Sequence, residues 1–316
     1  MAQIALNLWN LIAILLVGFV AMKLGGVPRG VDKVISQILF SVALPALLFN
    51  SMINAHIQEI FSLTALTNVL AAMIIFVGFY VLAKYAFGLT DGSRTIVALV
   101  ASYTNAGNLG VAYFAATTGQ PEAAAPILLF QLCVMVPISF TLLDRQTGAV
   151  ARSALRQVLS ALSKPVVVAT LLGLVVSVVR DAVGGFELPV VIADPISMIG
   201  RTSVPLMMLS LGMSFAAGRL PGFRREFLPL YSAVFGRVII GPLLSFAIAM
   251  AFGLEGVELM TAVVAGCVPT ANNVFVYAQR YDVGVEIARD AVAITVLVSM
   301  PIMLGAVWAL HATGLA

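Results

Sequence analysis

Two short runs of hydrogen-bonding residues interrupt an otherwise apolar chain. One reads Ser102-Tyr103-Thr104-Asn105-Ala106-Gly107-Asn108-Leu109-Gly110, the other Gly266-Cys267-Val268-Pro269-Thr270-Ala271-Asn272-Asn273. Each sets Gly or Pro among amide and hydroxyl side chains in the middle of an apolar stretch. Pro removes a backbone donor and clashes with the preceding turn, and Gly weakens a helix. Broken backbone at membrane depth is tolerated where it is buried in protein or lines a wet cavity. Paired interruptions in two halves of a chain point to a transport site. Each break leaves a half-helix N-terminus with free N–H groups and a positive dipole end, and two such ends converging favour an anion. Asn108 and Asn272 can donate further hydrogen bonds to a carboxylate without burying a countercharge. Asn105, Gly107, Pro269, Thr270 and Asn273 complete the expected binding surface. A single Asn at such depth serves as interhelical glue; two at matching positions in two breaks turn the reading toward a site.

Arg237 also lies inside an apolar stretch. It either attracts an anion and balances charge during a transport cycle, or bonds to carbonyls at a neighbouring helix break. An Arg at this depth costs about 2.5–3.5 kcal/mol on insertion scales, so it must face protein or water. Arg201, nearer a span end, can snorkel. All 14 Asp and Glu fall in loops or near span ends. That argues against a carboxylate proton relay and a carboxylate sodium site, and leaves carbonyl, Asn and Thr oxygens as cation ligands. His56, His311, Cys133 and Cys267 lack metal-ligand spacing. No phosphate-binding loop motif is present, nor paired Asp or an activated nucleophile for intramembrane hydrolysis. The expectation is a protein that is not an enzyme and takes no cofactor or metal.

These residues have to be carried by membrane helices. Hydrophobic residues make up 61% of the 316 and charged residues 10%, with a mean hydropathy of +1.07; a soluble domain carries about 25% charged residues. A net charge of +3 on such a chain is membrane asymmetry rather than a nucleic-acid-binding face. Stretches long enough to span a bilayer recur ten times, at 5–23, 33–53, 61–84, 94–117, 122–143, 164–180, 190–216, 226–253, 257–279 and 287–312. The first has no basic n-region or small-residue cleavage site and reads as a retained helix. Fourteen of the 17 Lys and Arg lie in one set of alternate loops, and only Arg180 in the other set. By the positive-inside rule both termini are extracytoplasmic and residues 144–163 are cytoplasmic. That linker is amphipathic, expected on the membrane surface, and separates five-span halves at 1–143 and 164–316. Trp9 and Trp308 read as interfacial anchors, Tyr113 and Tyr277 as core, and Met207, Met208 and Met213 as lipid- or dimer-facing packing.

Because five is odd, two copies of a five-span unit must enter the membrane from opposite sides. Pro45 and Pro205 align at a shift of 160, and each is expected to kink its span opposite the breaks. In the fourth and ninth spans Ala98, Val100, Ala101, Asn108 and Tyr113 fall on Ala262, Val264, Ala265, Asn272 and Tyr277 at a shift of 164.

At these residues the chain resembles the auxin efflux carrier superfamily, which includes bacterial malate and malonate carriers and is related to the plant PIN auxin transporters. The carrying segments are Leu44–Phe49, Thr104–Gly110, Pro205-Leu206 with Ser210–Gly212, and Val268–Asn273 followed by Ala278–Tyr281. The resemblance runs over essentially the whole chain, and its ninth-span segment is the most specific. It implies an all-α integral membrane fold of ten helices in two inverted repeats, like sodium/proton antiporters and bile-acid symporters. Spans 1, 2, 6 and 7 would form a dimerising scaffold carrying Pro45 and Pro205 on its side of the site. Spans 3–5 and 8–10 would form a moving transport domain in which spans 4 and 9 cross at their breaks and hold an organic anion. PIN-type crossovers have Pro in both breaks; here the fourth span has Gly107 instead, and a softer break is expected.

The function expected is secondary, elevator-like transport of a mono- or dicarboxylate in the bacterial inner membrane, driven by gradients with H+ or Na+ as the coupling ion. The expected partners are the anion, lipid and a second copy of the chain. A sodium-coupled carrier resembling the bile-acid symporters is the other reading, and the absence of mid-span carboxylates counts against it.

Overall fold

The computed structural model describes residues 2–28, 30–53, 62–120, 123–148, 162–183, 188–217 and 225–315, with backbone alone for residues 2–8, 11, 108 and 225. The helices are α1 (Ala2–Lys23), α2 (Val31–Ile53), α3 (Leu63–Tyr85), α4 (Ser93–Ser102), α5 (106–117), α6 (Ala124–Gln146), α7 (Pro165–Val183), α8 (Val190–Ala217), α9 (Leu228–Ala251), α10 (Gly256–Cys267), α11 (Asn272–Tyr281) and α12 (Val285–Ala312). Seven of them (α2, α3, α6, α7, α8, α9 and α12) are long and apolar enough to cross a membrane. Shorter apolar helices cover Ile12–Lys23, Ser93–Ser102 and Gly256–Cys267. The chain is a multi-pass membrane protein. The expected fourth span is the interrupted pair α4 and α5, and the ninth is α10 and α11.

The prolines shape three of these helices in one way. Turns of π-helix occur at Leu39–Ala43, Gln131–Met135 and Gly236–Ile240. Pro45, Pro137 and Pro242 each follow such a turn by two residues. A proline deprives the carbonyl four residues earlier of its helical donor. Those carbonyls belong to Ser41, Cys133 and Val238, each inside the π turn, where the wider hydrogen-bond spacing reassigns them. Pro205 is handled differently: α8 is interrupted at Thr202, whose N–H turns back to the Ile199 carbonyl at 3.1 Å.

Packing falls into two groups. In the first, α1 lies along α8, and α2 lies against α7 and α8. Glycine permits the close approach, as small residues do between membrane helices. A Cβ on Gly18 would stand 2.3 Å from the Leu209 carbonyl oxygen, one on Gly212 2.0 Å from that of Leu15, and one on Gly173 2.7 Å from that of Phe49. In the second group α9 and α10 pack on each other and on α3 and α12, with α4 against α3 and α5 against α6 and α10.

Three sequence expectations need correction. Helix α6 continues through Asp144, Arg145 and Gln146, because Asp144 is buried and receives Lys164 Nζ at 3.2 Å and the Tyr281 hydroxyl at 2.8 Å. The linker therefore starts later than residue 144, and residues 149–161, where its amphipathic face was expected, lie outside the described residues. Met207, Met208 and Met213 are buried within the chain, since their face of α8 is covered by its neighbours. The shift of 164 between the two breaks is addressed with the site below. Trp9 and Trp308 are exposed, and Tyr113 and Tyr277 fully buried.

Candidate functional site

Helix α4 ends at Ser102 and α10 at Cys267, and in each case the chain runs extended for a few residues before the next helix starts. The two extended stretches meet. Thr104 and Thr270 form an antiparallel bridge, flanked by the Asn105 N–H donating to the Pro269 carbonyl at 2.8 Å and the Ala271 N–H donating to the Tyr103 carbonyl at 3.0 Å. Backbone groups that leave a helix inside a membrane must find partners within the protein; here each break supplies those of the other. The bridge pairs residues 166 apart, so the register based on residue identities is two residues out. By that spacing Asn272 corresponds to Ala106, since these two residues open the helices that follow the breaks, and not to Asn108.

Side chains lock the crossing. The Thr270 hydroxyl donates to the Val100 carbonyl at 2.7 Å, and the Thr270 N–H donates to the Thr295 hydroxyl at 3.2 Å. The Thr104 hydroxyl accepts from Gln131 Nε2 at 2.7 Å. Helices α5 and α11 then leave the crossing with their N-terminal ends, whose first N–H groups have no partner within the helix.

Beside those ends lies a cleft lined by Ser51, Thr104, Asn105, Gly107, Gln131 and Asn273, together with Leu47, Leu48 and Leu128. It is narrow in this conformation, about 40 Å³, space for a few waters. Asn105 is 4% exposed and its Nδ2 has no hydrogen-bond partner among the described residues; Gln131 Oε1 is likewise unpartnered. Asn272 is equally buried, with neither amide atom partnered among the described residues. It faces the other way, closing an apolar groove of about 310 Å³ between Leu15 and Phe19 of α1, Met208 and Phe215 of α8, and Val296 of α12. Buried amides without partners are costly, and such groups are retained where something else is to meet them.

Arg237 meets the crossing at the other two helix ends, the C-termini of α4 and α10. The residue is 3% exposed, and its guanidinium donates to the carbonyls of Ser102 at 3.2 Å, Ala101 at 3.5 Å and Gly266 at 2.6 Å. These are the last-turn carbonyls of α4 and α10. Of the two sequence readings, the contacts match the one in which Arg bonds to carbonyls at a break. The cavity beside it is about 20 Å³, room for one water.

The structure thus brings Asn105, Gly107 and Asn273 to one cleft, turns Asn272 to a second, and uses Pro269 and Thr270 in the crossing itself. The Asn108 backbone lies in the π turn Ala106–Gly110 that opens α5, and its side chain is outside the described part of the structure. Pro45 and Pro205 line neither cleft. Arg201 is exposed on α8. Sequence reasoning missed Gln131, Ser51 and Thr295. Gln131 could have been found as an amide in the apolar run Ile127–Met135; Ser51 and Thr295 carry no such signal, because hydroxyls are common in membrane helices.

The family model for membrane transport proteins matches residues 4–150 and 147–307. The chain belongs to the auxin efflux carrier family. Its relatives include the "Uncharacterized transporter YfdV" of Escherichia coli K12, 26% identical over 301 residues and 92% of each chain. A protein of Rhizobium meliloti named "Putative malonate transporter" is 23% identical over 329 residues, covering 100% of this chain and 98% of its own. A rice protein named "Probable auxin efflux carrier component 1b" is 33% identical over 136 residues, 43% of this chain and 24% of its own. The family consists of transporters rather than enzymes, so this chain is a membrane transporter.

Proposed function

We propose that this transporter is a secondary carrier of a small organic anion, whose carboxylate is held in the cleft beside the α5 and α11 N-termini. The observation that carries the reading is the crossing of the two broken helices at Thr104 and Thr270, with the donor of Asn105 buried and unpartnered beside it. Two helix ends of about half a positive charge each match one carboxylate. The Asn105 amide supplies a directed donor, while the Ser51 hydroxyl at the cleft already donates to the Leu47 carbonyl at 3.1 Å. The name of the Rhizobium meliloti relative is in keeping with a carboxylate substrate. The narrowness of the cleft favours alternating access, in which an acid enters only as the helices around it part.

The scaffold is α1, α2, α7 and α8, and α3–α6 with α9–α12 move against it. Together they make ten membrane passes in two inverted repeats. The glycine contacts support this: the carbonyls of Phe49 on α2 and Leu209 on α8, each met by a glycine of its neighbour, are 160 residues apart, the same spacing as Pro45 and Pro205. Both termini face away from the cytoplasm, the protein dimerises through the scaffold, and it resides in the inner membrane of a bacterium. A second reading places the acid against Asn272, and the apolar groove that this side chain closes favours it for acids with an apolar body.

Solute counterflow in proteoliposomes tests the proposal. Labelled dicarboxylates, keto acids and aromatic acids are each exchanged by the wild type, Asn105→Ala and Asn272→Ala. Saturable exchange lost in Asn105→Ala and kept in Asn272→Ala supports the polar cleft. The converse supports the groove. Exchange that survives both substitutions, or no exchange of any acid by folded protein, overturns the crossover as the anion site.

A further inference from the structure

We propose that Arg237 is a built-in cation for the crossover, seated where a cation-coupled carrier would bind an inorganic ion, so that transport by this chain requires neither Na+ nor K+. The proposal rests on the carrier reading above, and goes beyond it in assigning how the site's charge is balanced.

The geometry is that of a cation seat. The C-terminal ends of α4 and α10 converge, and the guanidinium bridges them through the carbonyls of Ala101, Ser102 and Gly266. Carbonyls at half-helix C-terminal ends are the groups that coordinate Na+ in carriers with broken helices. Each C-terminal end carries about half a negative charge, so two ends sum to about one, and one guanidinium neutralises them. The two N-terminal ends at the crossing, of α5 and α11, sum to about one positive charge, left for the substrate's carboxylate. The crossing therefore holds one fixed cation and has a place for one mobile anion.

The seat is built around the arginine. Arg237 lies in the π turn Gly236–Ile240, which adjusts its position on α9. A Cβ on Gly241 would stand 2.6 Å from Arg237 Nη2, and one on Gly266 2.8 Å from the Gly241 carbonyl oxygen, so both glycines hold the space open. The cavity beside the guanidinium is lined by the neutral polar side chains Asn68, Ser102, Thr104, Gln131 and Ser245, and the thiol of Cys267 is near it, so its countercharge among the described residues is the helix ends themselves. Arg stays protonated in proteins, so the seat is occupied at every stage of a cycle. An inorganic ion would have to displace a buried, triply bonded guanidinium.

Two measurements test this. In proteoliposomes, wild-type exchange should be the same within about twofold in Na+, K+ and choline media, a spread well below the roughly tenfold loss of one charge-assisted hydrogen bond. Arg237→Met should lower exchange at least about tenfold by that same loss, with recovery by added methylguanidinium, and Arg237→Lys should retain more than Arg237→Met. In detergent at constant ionic strength, Na+ should leave the wild-type melting temperature unchanged and raise that of Arg237→Met. Wild-type exchange that requires Na+ or K+, a wild-type melting temperature that rises with Na+, or folded Arg237→Met exchanging like wild type in choline would overturn the proposal. The melting series does not depend on transport, so a failure of the carrier reading shows separately as no carboxylate exchange. If Arg237→Met does not fold, the wild-type cation series and Arg237→Lys still decide.

Discussion

Thr270→Val tests whether the crossing is held as described. The substitution keeps the volume and β-branching that suit an extended residue, and removes one hydroxyl. That hydroxyl donates to the Val100 carbonyl at 2.7 Å. In a continuous helix this carbonyl would receive the N–H of residue 104. Here α4 ends at Ser102, and the last helical bond given to the turn is from the Tyr103 N–H to Leu99. The carbonyl thus loses its cross-break donor at a site with no solvent: residue 270 is 0% exposed. A buried acceptor left unsatisfied costs about 1–3 kcal/mol. Interhelical hydrogen bonds in membrane bundles average about 0.6 kcal/mol, because the unfolded chain in the membrane finds substitutes. The break argues for the region between, about 1.5 kcal/mol, or a fall of about 3 °C in melting temperature. Cys267, 1% exposed at the end of α10, offers a readout, since a thiol-reactive fluorophore labels it as the crossing opens. Thr270→Ser keeps the donor and should lie closer to wild type than Thr270→Val. If Thr270→Val melts with the wild type, the reasoning about the cross-break hydroxyl is wrong.

Other outcomes follow from the same contacts. Gly212→Val should destabilise strongly and separate α1 from α8, since even a Cβ would stand 2.0 Å from the Leu15 carbonyl oxygen; a cysteine pair across the two helices should crosslink less efficiently. Lys33→Ala removes an exposed ion pair with Asp282, and should change the melting temperature by less than the resolution of the assay because such pairs contribute little. Gln279→Leu removes a buried amide that bonds Ser36 and Asp32 of α2 and approaches Ser210 of α8. It should alter exchange rate more than substrate affinity, measured as maximal rate against half-saturating concentration, because those contacts join α11 to the opposite packing group.

The helices were legible in the sequence because hydropathy alone decides what spans a membrane, and every stretch read from it overlaps a helix found in the structure. Both breaks were legible because Gly and Pro among Asn and Thr have few other uses at that depth. The register between them was not. The break after α4 is three residues long, 103–105, and the break after α10 is four, 268–271, so matching Asn to Asn across small residues slips where the backbone bridge does not. The direction of each amide was equally hidden. Asn105 and Asn272 have the same chemistry in the sequence, but one begins a polar cleft and the other closes an apolar groove. Arg237 was visible as a buried charge, and its partners were not, because carbonyls have no sequence signal.

Counterflow by Asn105→Asp tests the central claim most directly. The substitution preserves shape and puts a negative charge where the donor of Asn105 is read as meeting the substrate's carboxylate. The account predicts that the folded variant loses exchange of every acid the wild type carries, at an unchanged oligomeric state and with a near-native melting temperature. Asn105→Asp exchanging those acids at the wild-type rate and half-saturating concentration would contradict it.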